Sequence, residues 1–147
     1  MRRLQELEAA IENISTSDAA VQQAKDLLGI GEEILEHWVT ARGMEPTSDT
    51  REGFRLLALH RQGSSGDPSF NACRETCREL AYHFNLITMQ ADDAEINNRL
   101  EMMKLVCSHL YLFISGKMQV AELGDFCCSS KPIRLTTDKK ESRIKEA

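Results

Sequence analysis

The apolar positions of this chain recur at spacings of three and four almost throughout, which is the helical period. Leu4, Leu7, Ile11 and Ile14 form a heptad-like stripe over residues 1–14. Two heptads are too few for a free coiled coil, so this stripe must dock on its own domain or on a partner. "STSD" at 15–18 reads as a stop for that helix and a cap for the next, because Ser and Asp oxygens accept from unpaired helix N–H groups.

A second helix is predicted from about residue 18 to 42, with Ala24, Leu27, Gly31, Ile34, Trp38 and Ala41 inward. Its small residues at 24 and 31 would admit a neighbouring helix closely. Gly43 supplies a C-terminal stop. A third helix is expected over about 50–62, apolar on two sides through Phe54, Leu57 and Ala58 and through Leu56 and Leu59. "GSSGDPS" ends it, and Asp67-Pro68 opens a fourth over about 68–87. The fifth is predicted from about 92 to 115 or beyond, with Ile96, Leu100, Met103, Cys107, Leu110 and Ile114 inward. Leu105 and Leu112 lie on its far side, which predicts the most buried helix of the set.

The fold expected is therefore all-α: a single helical bundle of about five helices over 1–126, followed by a polar, flexible tail over 127–147. Three prolines and eight aromatic residues in 147 agree with helices over strands.

Charge narrows the function classes. The net charge is −5; residues 1–50 hold four basic and ten acidic side chains, and residues 101–147 hold eight and six. With no dense basic stripe, nucleic acid is a disfavoured partner, since phosphate neutralisation supplies most of that affinity. No apolar run approaches a membrane span, and the N-terminus lacks the apolar core of a secretory signal. Five cysteines without such a signal point to free thiols and a cytoplasmic setting.

The cysteines invite a metal or redox reading. Cys73, Cys77 and Cys107 could converge across the core, with Cys127 and Cys128 more accessible near the tail. On a helical wheel, however, Cys73 and Cys77 fall among Phe70, Leu80 and Phe84, and three intervening residues is not the spacing of zinc knuckles. Neither His83 nor His109 aims at these thiols on its own wheel. Core packing is the simpler account, and no cofactor is favoured.

Arginine is the more specific signal. Between Gly43 and Arg99 every basic residue other than histidine is arginine. Arg51 with Arg55, and Arg74 with Arg78, are spaced to share helix faces. Guanidinium forks suit phosphate and carboxylate, so these four are the candidate anion- or partner-binding residues, with salt bridges to neighbouring glutamates as the alternative. Catalytic signatures such as GxSxG, GxxxxGK[ST], GxGxxG and HExxH are missing. The leading expectation is a non-enzymatic regulatory protein that meets a partner protein, or a second copy of itself, through a helical groove or its N-terminal helix. The alternatives are a metal- or redox-responsive bundle and a bundle that binds an anionic small molecule in an arginine-lined groove.

Overall fold

The computed structural model describes residues 2–14 and 19–121. The expectations for the cap at 15–18, for Cys127 and Cys128, and for the tail fall outside these residues. The helices are α1 (Leu4–Glu12), α2 (Ala20–Ala41), α3 (Arg55–Gly63), a 3₁₀ segment (Pro68–Cys73), α4 (Arg74–Met89) and α5 (Ile96–Val120). The all-α reading holds; among the described residues the nearest thing to a strand is an isolated bridge between Arg51 and Phe54. The chain divides into a unit over 1–114 and a unit over 115–147, of which only the end of α5 and Ala121 is described.

In the first unit α2 is the hub, packing against α1, α3 and α4. Its inward stripe is as the spacing predicts: Ala24, Leu27, Ile34 and Leu35 have no exposure, and Trp38 has 3%. Gly31 is where the neighbours come closest. A Cβ there would stand 2.6 Å from Leu80 Cδ2 on α4 and 3.2 Å from Leu56 Cδ1 on α3, so glycine is what lets three helices meet. Gly43, at φ +82°, ends α2 in a Schellman arrangement: its N–H donates to Thr40 O, and the Met44 N–H donates to Val39 O.

The N-terminal stripe is spent inside the molecule. Leu4, Leu7 and Ile11 are buried against α2. Around them Arg2 Nη2 bonds Glu33 Oε2 at 2.7 Å, the His37 ring bonds Arg2 O at 2.6 Å, and Lys104 Nζ donates to Ile14 O at 2.9 Å. Of the two docking sites the spacing left open, α1 occupies its own domain.

Two expectations need correction. The third helix begins at Arg55 and not near residue 50, because residues 51–54 close a tight turn in which Arg51 and Phe54 exchange both backbone bonds. Glu52 and Gly53 take positive φ there, 55° and 86°, which no helix allows. The fifth helix is not buried all round. Leu100, Met103, Cys107, Leu110 and Ile114 are inside, whereas Leu105 is 56% and Leu112 61% exposed. The chain has no further described helix to cover that side.

The α3–α4 connection is built around Phe70. Trp38 donates from Nε1 to Gly63 O at 3.0 Å and stacks on Phe70 at 5.3 Å between centroids. A Cβ on Gly63 would strike Phe70 at 2.9 Å and Trp38 at 3.0 Å. Pro68 opens the segment as expected, but its first six residues wind as 3₁₀ before α4 begins at Arg74.

Candidate anion-binding groove

Between α3 and α4 lies a groove of about 520 Å³, lined by Arg51, Leu57, His60, Arg61, Ser64, Asn71, Arg74, Glu75 and Arg78. A second hollow of about 420 Å³ adjoins it and shares Arg51 and Arg61. Three of the four arginines singled out by sequence meet here, together with Arg61, which spacing alone did not select.

The turn at 51–54 explains how Arg51 arrives. Arg78 on α4 holds the Glu52 carboxylate with both nitrogens of its fork, Nη1 to Oε2 at 3.1 Å and Nη2 to Oε1 at 2.9 Å. This clasp fixes the turn to α4 and leaves Arg51 on the groove side. Its bonds to Arg78 hold the Glu52 carboxyl below the usual carboxylate range, and the charges of Arg51 and Arg74 add to the effect.

Arg55 goes elsewhere. It bonds Glu36 and, at 3.4 Å, Glu32, both on α2, and its Nε donates to Thr47 O at 2.8 Å. It is an internal strut. Each spaced pair thus splits: Arg55 and Arg78 are locked by carboxylates, while Arg51 and Arg74 face the groove. Arg51, Arg61 and Arg74 are exposed, and their guanidiniums make no hydrogen bond or ion pair among the described residues. Cations that line one groove without a hydrogen-bonded carboxylate repel one another and are stabilised by an incoming anion.

His60, one of four histidines spaced one per predicted helix and expected at a solvated helix edge, is buried instead. It is 6% exposed, stacks on Phe70 at 5.2 Å, and its Nε2 lies 3.3 Å from Phe70 O. Its position three and four residues after Leu57 and Leu56 placed it on the buried face of α3, and that spacing was the available signal.

The thiols are core. Cys73, Cys77 and Cys107 are free and at most 1% exposed. Cys73 donates to Phe70 O at 3.3 Å and Cys107 to Leu27 O at 3.7 Å. A hydrogen bond from Cys77 and the neighbouring His60 pull the Cys73 thiol below its ordinary value, against burial. Its bond to Cys73 and its burial push Cys77 up, and burial alone pushes Cys107 up to about 12. Among the described residues no three His, Cys, Asp or Glu side chains are grouped to hold a metal ion. Nor is any described helix long and apolar enough to cross a membrane.

No family model, curated protein or solved structure matches this chain. The groove's own chemistry is therefore what speaks to function.

Proposed function

We propose that the protein is a non-enzymatic interaction protein that receives an anionic group of a partner protein in the α3–α4 groove. The observation that carries this reading is the set of three exposed guanidiniums, from Arg51, Arg61 and Arg74, that line one concave surface and make no hydrogen bond or ion pair among the described residues. Arg2, Arg3, Arg55, Arg78 and Arg99 each pair with a carboxylate, and Arg42 is held by the Gly63 and Ser65 carbonyls. Three that share a groove without a hydrogen-bonded partner form a surface that favours oxyanions. Neither the covered stripe of α1 nor the buried thiols offer a comparable feature.

Affinity capture with the full chain tests the reading. A protein retained by the wild type should be lost with the Arg51→Ala/Arg61→Ala/Arg74→Ala variant and kept with Arg55→Lys. Equal retention by the triple variant and the wild type would remove the groove from partner binding.

A further inference from the structure

The anion that the groove receives is narrowed by charge and by donor count, both resting on the groove reading above. We propose that it is a phosphomonoester dianion. Four guanidiniums line the groove; Glu52 is bound to one of them, and Glu75 lies on the same wall. Four positive charges against two carboxylates leave two uncompensated, which matches the charge of a phosphomonoester near pH 7, between about −1.5 and −2.

Donor geometry points the same way. Each guanidinium offers a planar fork that a single carboxylate fills, as Glu52 fills that of Arg78. Arg51, Arg61 and Arg74 enter from three different elements, the 51–54 turn, α3 and the start of α4. One carboxylate has two oxygens in one plane and fills one fork bidentately, so three guanidiniums carried by three elements exceed what it meets in that way. A phosphoryl group has three terminal oxygens arranged tetrahedrally and can meet all three. Asn71 adds an uncharged amide donor to the lining. The choice of arginine over lysine agrees: no lysine occurs between Lys25 and Lys104, so every cation facing the groove is a fork and none a point charge.

The same phosphate could arrive on a phosphorylated side chain or on a small metabolite, and one titration series separates them. Fluorescence anisotropy of the full chain would use a labelled peptide bearing one phosphoserine among Gly and Ser residues, with matched Ser and Glu peptides. Inorganic phosphate and adenosine monophosphate serve as competitors. The phosphoserine peptide should bind saturably, the Ser peptide not at all, and the Glu peptide at least tenfold more weakly. Arg61→Ala and Arg74→Ala should each weaken the phosphopeptide about tenfold, a loss of one charged hydrogen-bonded contact, while Arg55→Lys leaves it unchanged. Competitors that bind as tightly as the peptide would support phosphate recognition and assign it to a metabolite. Equal binding of Glu and phosphoserine peptides, lost in the arginine variants, would overturn the phosphate inference and leave the partner groove standing. No binding of any probe would overturn it as well, and the capture experiment would then decide the groove separately. Both alanine variants lie at exposed positions, so an unchanged urea midpoint certifies that any loss is one of binding.

Discussion

Arg55 and Arg74 are the same residue type, each at one end of a helix and each belonging to an i, i+4 arginine pair, yet the fold uses them oppositely. Arg55 is half-buried and spans three elements, bonding Glu32 and Glu36 on α2 and the Thr47 carbonyl in the loop before α3. Arg74 begins α4, is exposed, and makes no hydrogen bond or ion pair among the described residues. What separates them is the carboxylate supply on the facing element. The groove face of α3 presents Leu57, His60, Arg61 and Ser64, with no acid among them. An arginine's role is thus set less by its own helix than by what stands opposite.

The largest effect of breaking that contrast should be on folding. Arg55→Ala removes three hydrogen bonds, two of them to carboxylates that burial leaves poorly solvated. We expect a loss of about 2 kcal/mol in urea unfolding, reduced from the full value for buried charged pairs by partial exposure. Arg55→Lys should restore only part, because one ammonium cannot reach both glutamates and Thr47 O. A loss no larger than that of Arg74→Ala would erase the distinction.

A smaller effect should separate the two glutamates that share Arg55. Glu36 holds the shorter bond, and Glu36→Gln should cost about 1 kcal/mol. Glu32 is held at 3.4 Å, and its burial outweighs the pull of Arg55, so its carboxyl is raised above the ordinary value. A raised acid contributes stability that is fully present below its unfolded value and is lost as pH rises through the folded one. At neutral pH its ionised form therefore carries a cost. Glu32→Gln should leave the urea midpoint at pH 7 unchanged or slightly higher, and that gain should vanish below pH of about 4. A midpoint that falls at pH 7 as far as in Glu36→Gln would show the two acids to be equivalent.

The smallest effects on stability should come from the groove. Arg61→Ala and Arg74→Ala should each stay within about 0.5 kcal/mol of the wild type, as for exposed residues without partners. A clear gain would still agree, since removing one of several facing cations relieves repulsion. A loss of 1 kcal/mol or more would mean that the arginine is structural.

The helices were legible because burial imposes a period. The inward stripes of α1, α2 and α5 lie where the spacing placed them, and Gly31 admits Leu56 and Leu80 as a small residue should. The outer side of α5 was not legible, since an apolar face at 105 and 112 shows what could be covered and not whether a neighbour exists. The arginines were legible by type but not by partner. Arg51 could be grouped with Arg55 only while both were taken as helical, and the positive φ at Glu52 and Gly53 separates them. Gly53 was the one local hint of that turn. His60 was missed for the converse reason: a histidine expected at a solvated helix edge lies instead on the packed face of α3, with its rim on the groove.

The division between locked and open arginines can be read in one experiment, by following the arginine Nε–Hε signals of ¹⁵N-labelled protein as inorganic phosphate is added. Saturable shifts are expected at Arg51, Arg61 and Arg74, with Arg55 unmoved in its bonds to Thr47, Glu32 and Glu36. Uniform, non-saturating drift of every arginine signal, or movement of Arg55 alongside the other three, would contradict that division.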